Sequence, residues 1–196
     1  NVFGEEYYSP WEEKLSIYAI KLWELRKKCF YGYINCFNKV VREYQNKMTL
    51  NLFYDEKVYI KKDYKTLLKR TRESDSFLGR TSKGPHRDNI DILWGKNNIR
   101  ECGSQGEHKI ALILLKLAEI NLIESETGEF PIILLDDVFA KLDLKRSKKL
   151  VSYLNSIKKN DKDPIQTIIT TTDILNVEKS GLGLETPGIK TYKLDL

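Results

Sequence analysis

Apolar side chains at Trp11, Leu15, Tyr18, Leu22, Leu25, Cys29, Tyr33, Cys36, Val40 and Tyr44 step by four and three, with Lys, Arg and Glu between them. This spacing predicts one long amphipathic helix from Pro10, with that stripe as its packed face. Its length suits an arm or a coiled-coil-like hairpin better than an ordinary globular helix. The alternation Leu50, Leu52, Tyr54 predicts a short strand, and the basic run from Lys57 to Arg72 a second helix returning along the first. Together they make a helical subdomain over residues 1–76. Beyond it the texture changes. Ile90 to Trp94 and Ile99 to Cys102 flank Gly95, Lys96, Asn97 and Asn98, a β-hairpin pattern. A helix from Ser104 to Ser125, apolar almost all round between Ile110 and Ile123, is expected to be buried. After Pro131 the run Ile132 to Leu135 reads as a central parallel strand covered on both faces. A helix over Lys145 to Ile157 and a strand over Ile165 to Ile169 complete a strand-helix-strand unit, so residues 77–196 read as an α/β lobe. A weak glycine-rich patch, Gly181 to Gly188, follows.

Composition narrows the class. With 196 residues, 41% hydrophobic and 31% charged, the chain can bury one sizeable core or two modest ones. Its longest apolar runs, Ile110 to Leu115 and Ile132 to Leu135, fall far short of the roughly 20 residues that cross a bilayer. The sequence opens on Asn1 without a basic or apolar leader pattern, which is expected of a truncated chain. Cys29 and Cys36 lie seven residues apart on one helix, about 10 Å at 1.5 Å per residue, too far to pair. Three cysteines, two histidines and no Cys-x-x-Cys argue against a structural zinc site and for a reducing cytoplasm. The net charge of +5 permits contact with phosphate-rich partners, although a lysine-rich solvated face accounts for it equally well.

Three motifs carry candidate chemistry. Leu134, Leu135, Asp136 and Asp137 end the buried strand, followed by Val138, Phe139, Ala140, Lys141, Leu142 and Asp143. Ligands of open α/β sheets bind at the carboxyl ends of strands, where two adjacent carboxylates can hold Mg²⁺ and orient a water; acids that merely end a strand in solvent are the plainer alternative. Gly103, Ser104, Gln105, Gly106 and Glu107 open the buried helix, where a serine hydroxyl and free N–H groups suit a phosphate, or simply an N-cap. Gly84, Pro85, His86, Arg87 and Asp88 form a rigid turn presenting a cation, an acid and an imidazole. None of the eleven glycines begins G-x-x-x-x-G-K-[ST], so these residues lack the loop that cradles β- and γ-phosphates and are expected to bind ATP poorly alone.

In this order, GPHRDNI, GSQGEHKIALILLKLAE, IILLDDVFAKLD and IITTTD resemble the C-terminal half of the RecF family of recombination mediators, relatives of the ABC and SMC ATPases. The resemblance runs from about Lys65 to Asp173 and implies the C-terminal lobe of a P-loop NTPase head preceded by a helical arm. It implies an ATP- and Mg²⁺-dependent DNA-repair ATPase whose P-loop lies in an N-terminal segment. Asp136 then matches the Walker B acid that holds Mg²⁺, and Asp137 the position of the catalytic carboxylate. Ser104, Gln105 and Gly106 match the signature that contacts the γ-phosphate bound to the opposite subunit. Ala140 to Asp143 match the D-loop at the dimer seam, and Thr172 falls where many relatives carry a switch histidine. The implied partners are duplex DNA near single-strand junctions, a second copy of the chain, and the RecR and RecO proteins that act with it in loading RecA. Lys57, Lys61, Lys62, Lys65, Lys69, Arg70 and Arg72 are the candidate DNA-backbone contacts. The alternatives are the head of another SMC-like ATPase and a non-enzymatic interaction module.

Overall fold

The computed structural model describes residues 4–45, 47–55, 60–140, 142–159, 163–172, 174–183 and 188–192. In chain order the elements are α1 (Glu5–Tyr44), β1 (Leu50–Tyr54), α2 (Lys61–Leu78), a single 3-10 turn (Pro85–Arg87), β2 (Ile90–Trp94), β3 (Asn97–Asn98), α3 (Ile99–Cys102) and α4 (Gln105–Thr127). β4 (Ile133–Asp136), α5 (Leu144–Ser156), β5 (Lys158–Lys159), β6 (Asp163–Pro164), β7 (Thr167–Thr170) and α6 (Ile174–Ser180) follow. The strands form three small sheets, in the orders β1-β2-β3, β4-β7 and β5-β6. Two compact units result: Asn1–Gly32 with Leu52–Asp91, and Tyr33–Asn51 with Ile92–Leu196. The division differs from a single boundary near residue 76, because the chain through Asp88 bonds back to the first part of α1.

In the first unit the buried face of α1 is shifted by one residue, about 100° around the helix, from the one its apolar spacing predicts. Trp11 is 61% exposed and Tyr18 67%, and Leu15, Leu22 and Leu25 are exposed with them. The buried residues are Glu12, Ser16, Ala19 and Trp23. Ala19 and Trp23 form a small core with Tyr64 and Leu68 of α2, flanked by Ile20 and Leu67. The reason is electrostatic as well as steric. Glu12 receives two bonds from the Arg72 guanidinium, at 2.9 and 2.7 Å, so a carboxylate can occupy the helix interface. Ser16 satisfies its hydroxyl on the Glu12 carbonyl at 2.8 Å. Further along, Glu13 pairs with Lys61 and, at 2.6 Å, with Lys65, while Glu5 pairs with Lys69 at 2.6 Å. The two lysines hold the Glu13 carboxyl down to about 2. Part of the basic run of α2 therefore pairs with acids of α1, through Lys61, Lys65, Lys69 and Arg72, whereas Lys62 and Arg70 are exposed with no ion pair among the described residues, and Lys57 lies outside those residues.

In the second unit, residues 33–44 of α1 bury Phe37, Val40, Val41 and Tyr44. Tyr33 donates to the Leu115 carbonyl at 2.8 Å and Tyr44 to that of Arg146 at 3.4 Å, which ties this half-helix to α4 and α5. α4 buries Ile110, Ala111, Ile113, Leu114, Leu117, Ala118 and Ile120, each Ile or Leu among them contributing about 1.5–3 kcal/mol, whereas Leu112 and Ile123 remain exposed. The predicted second strand over Ile99 to Cys102 is instead the short helix α3. Asn98 caps it by accepting from the Arg100 N–H at 3.0 Å, and the Gly103 N–H closes it on the Ile99 carbonyl. The hairpin is confined to β2 and β3, around Gly95 and Lys96.

β4 and β7 are parallel, in register Ile133↔Thr167 through Asp136↔Thr170. The expectation of a strand covered on both faces fails: Ile133 and Leu135 are buried, but Ile132 is exposed and Leu134 is 72% exposed. Among the described residues no further strand flanks this pair, and no helix is long and apolar enough to cross a membrane.

Candidate functional site

The carboxyl end of β4 is where the chemistry gathers. Register places Asp136 beside Thr170, and the Thr170 hydroxyl donates to Asp136 Oδ1. The next peptide is fixed by the same residue, since the Asp137 N–H reaches both the Thr170 carbonyl and its Oγ1 at 3.1 Å. Asp137 then turns into the left-handed region with φ 45°, the only non-glycine among the described residues to do so. That conformation is unfavourable for residues with a Cβ, although Asp and Asn tolerate it better than most. The turn swings the Asp137 side chain toward Thr172, whose hydroxyl lies 3.5 Å from Asp137 Oδ1. The two acids thus face different threonines, and Asp136 remains exposed.

A residue that the motifs did not single out anchors this turn. Lys109, one turn into α4, donates to the Asp137 carbonyl at 2.5 Å and to the Ala140 carbonyl at 2.8 Å. From the other side the Asn176 amide donates to the carbonyls of Phe139 and Leu142, each at 3.2 Å. The chain from Asp137 to Leu142 is therefore held by its backbone oxygens from α4 and α6, while Val138, Phe139 and Leu142 are buried beneath it. Lys109 sits five residues after Ser104 in a GSQGEHK run; a lysine directly before the apolar run Ile110 to Leu115 was the signal available.

Ser104 is the N-cap of α4 and makes a full capping box: its hydroxyl accepts from the Glu107 N–H at 3.3 Å and donates to Glu107 Oε2, which also accepts the Ser104 N–H at 2.8 Å. The Ser104 N–H and hydroxyl together hold the Glu107 carboxyl below its ordinary range. Gly103 is required by close approach, since a Cβ there would stand 2.5 Å from the Ile99 carbonyl oxygen. Gln105 is exposed and Gly106 buried. Asp143 likewise serves as an N-cap, accepting the Arg146 N–H at 2.8 Å at the start of α5. Lys141 and Asp173 lie outside the described residues. The structure thus gathers Asp136, Asp137 and Thr172 at one strand end; Ser104 and Asp143 cap helices, and none of their described bonds reaches the acid pair.

The GPHRD turn is divided. Asp88 points inward, its Oδ2 accepting from Trp23 Nε1 at 2.6 Å, Arg26 at 2.8 Å and the Tyr54 hydroxyl at 2.9 Å. The acid is thus a clasp rather than a presented group, whereas His86 and Arg87 stay exposed.

Parallel strands ending in paired acids, followed by a helix-anchored turn, suit an ATPase head of the α/β class, and the chain shares its fold with solved members of that class. A structure of the recombination mediator protein RecF with ATP in the RecFOR pathway is 29% identical, with a TM-score of 0.67, covering 88% of this chain and 47% of that one. A companion structure titled RecF-ATPrS gives the same TM-score at 28% identity. The chain is a RecF-type sequence: it is 34% identical over 155 residues to the DNA replication and repair protein RecF of Halothermothrix orenii, covering 79% of this chain and 38% of that protein. RecF of Clostridium botulinum strain ATCC 19397 is 34% identical over 178 residues, 86% of this chain and 46% of that protein. The chain thus spans less than half the length of these curated relatives. No family model matches it.

Proposed function

We propose that this chain supplies the metal-holding and partner-sensing part of a RecF-type ATPase acting in DNA gap repair. The observation that carries the proposal is the acid pair Asp136–Asp137 at the end of β4, oriented by Thr170 and Thr172 and tied by Lys109 to the helix that Ser104 opens. With Thr170 on its Oδ1, Asp136 keeps its other oxygen for Mg²⁺ or a metal-bound water, and one carboxylate with waters and phosphates suffices for that ion. The described residues contain no cluster of three ligating side chains, which fits a site completed by nucleotide rather than an all-protein cage. When bound, Mg²⁺ neutralises charge on the β- and γ-phosphates.

Asp137 polarises the attacking water, and Thr172 holds its carboxylate in place. Ser104, Gln105 and Gly106 meet the γ-phosphate of ATP bound to a second copy. For this the Ser104 hydroxyl turns away from Glu107, so phosphate arrival competes with the capping box. Ala140 to Asp143 lie at the dimer seam. In the complete assembly two chains enclose two ATP molecules, the dimer holds duplex DNA near a single-strand junction, and RecR and RecO act with it to load RecA. Residues 1–76 serve as the arm and 77–196 as the catalytic lobe, a functional division that cuts across the two compact units.

The test is ATP turnover, with and without duplex DNA, by the RecF-length protein containing this sequence, with these 196 residues alone as the blank. Asp137→Asn abolishes DNA-stimulated turnover and retains ATP-dependent dimerisation, and Ser104→Arg loses both. Wild-type turnover in either variant removes the role given to that residue; no turnover in the wild type leaves the interaction-module reading in its place.

A further inference from the structure

The loop that leaves α2 is built unlike an ordinary surface turn. Its backbone is held almost residue by residue from within the first unit. The Ser82 N–H donates to Asp75 Oδ1 at 2.9 Å, the Tyr64 hydroxyl to the Lys83 carbonyl at 3.0 Å, and Arg26 to the Pro85 carbonyl at 2.6 Å. His86 Nε2 donates to the Thr81 carbonyl at 2.9 Å, closing the loop on itself. Gly84 is buried at φ 144°, and a Cβ there would stand 2.7 Å from the Tyr64 hydroxyl. What this scaffold turns outward is of one kind. Arg80, Lys83, His86 and Arg87 are exposed, no acid lies between Asp75 and Asp88, and among the described residues no ion pair engages Arg80, Lys83 or Arg87. Phe77, three residues before Arg80 in the sequence, is 91% exposed, with Leu78 also exposed next to it. The contrast with α2 matters, because Lys61, Lys65 and Lys69, three of the lysines expected to meet DNA there, are already paired with acids, which leaves Lys62 and Arg70.

A fixed cationic loop next to a naked aromatic ring has the chemistry of single-stranded nucleic-acid contact, phosphates on the cations and an unstacked base on the ring. We infer that Phe77, Arg80, Lys83 and Arg87 form a contact surface for an unpaired nucleic-acid strand, with Phe77 as the stacking platform. This rests on the nucleic-acid part of the function proposed above and moves the contact from α2 to the loop behind it.

The experiment is fluorescence anisotropy with the 196-residue chain and a labelled single strand of about 12 nucleotides, beside a blunt duplex of equal length, across a salt series. The wild type binds the single strand more tightly than the duplex. Phe77→Ala weakens single-strand binding about tenfold and leaves duplex binding unchanged, with an unaltered melting temperature because the ring contacts solvent. Replacing Arg80, Lys83 and Arg87 by alanine together lowers the slope of log affinity against log salt by about 2. Lys61→Ala, which removes a cation already paired with Glu13, changes neither. Unchanged single-strand binding in Phe77→Ala, equal losses on strand and duplex, or displacement of the strand by excess ATP each overturns the inference while leaving the ATPase reading intact. If the wild type binds neither oligonucleotide, the inference fails together with the nucleic-acid part of that reading.

Discussion

Two short glycine-containing turns, Gly84 to Asp88 and Gly103 to Glu107, look equally prominent in the sequence and are put to different uses. In the first, the acid is buried and gathers three donors from residues as far as 65 positions away, while the cations stay outside. In the second, the serine and the acid spend their hydrogen bonds on each other, three residues apart and in solvent. The difference shows that burial and the number of partners, rather than prominence in the sequence, decide what a motif's polar residue contributes. It also separates the roles: the first acid holds a scaffold, whereas the second turn closes a helix cap on itself.

The sharpest way to break this comparison is Asp88→Ala, which removes the acceptor shared by the Arg26 guanidinium, Trp23 Nε1 and the Tyr54 hydroxyl. It is expected to lower unfolding free energy by about 3 kcal/mol, measured by urea denaturation; a loss below that of a cap substitution would make the clasp incidental. Next comes Lys109→Met, which keeps the aliphatic stem and leaves the Asp137 and Ala140 carbonyls without their shared donor. A loss of about 2 kcal/mol is expected, with faster amide exchange across residues 137–142; unchanged exchange would show that Asn176 alone holds the turn. Ser104→Ala removes an exposed N-cap and costs about 1 kcal/mol, while Ser104→Gly costs a few tenths by the same measurement.

The smallest effect is expected from pH. Glu13 has an ordinary carboxyl in the unfolded chain and one lowered to about 2 when folded, so its pairing contributes fully above about pH 4.5 and is lost as pH falls toward 2. Acid titration of Glu13→Gln is expected to show a shallower decline over that window than the wild type. An identical decline would mean that solvent screens the pairing entirely.

The positions of most elements were legible because their periodicity is long: α1, α4, α5 and the β4–β7 pair fall within a few residues of where the pattern puts them. The face of α1 was not. Hydrophobic periodicity assumes that the packed stripe is apolar, and here Glu12 and Ser16 occupy it because Arg72 bonds one Glu12 oxygen twice and a backbone carbonyl accepts the Ser16 hydroxyl, which no local pattern reveals. The strand expected over Ile99 to Cys102 failed for a related reason: Asn98 in a turn pattern also caps a helix, and the chain used it so. At the strand end, Asp136 and Asp137 were legible as carboxylates after buried aliphatics. Lys109 and Asn176 were not, because both act on carbonyl oxygens, which carry no sequence signature. The inward course of Asp88 needed Trp23, Arg26 and Tyr54 to be brought to it, contacts made only by tertiary folding.

The left-handed backbone at residue 137 has a consequence for testing the role proposed for Asp137. Glutamate is the obvious replacement when a longer reach toward a water is wanted, yet it tolerates that backbone less well than aspartate or asparagine. A variant library at this position is therefore read through two filters at once, conformational and chemical. Asparagine passes the first and fails the second, which makes it the informative substitution; glutamate reverses the order, so an inactive Asp137→Glu would report on geometry before it reported on acid strength.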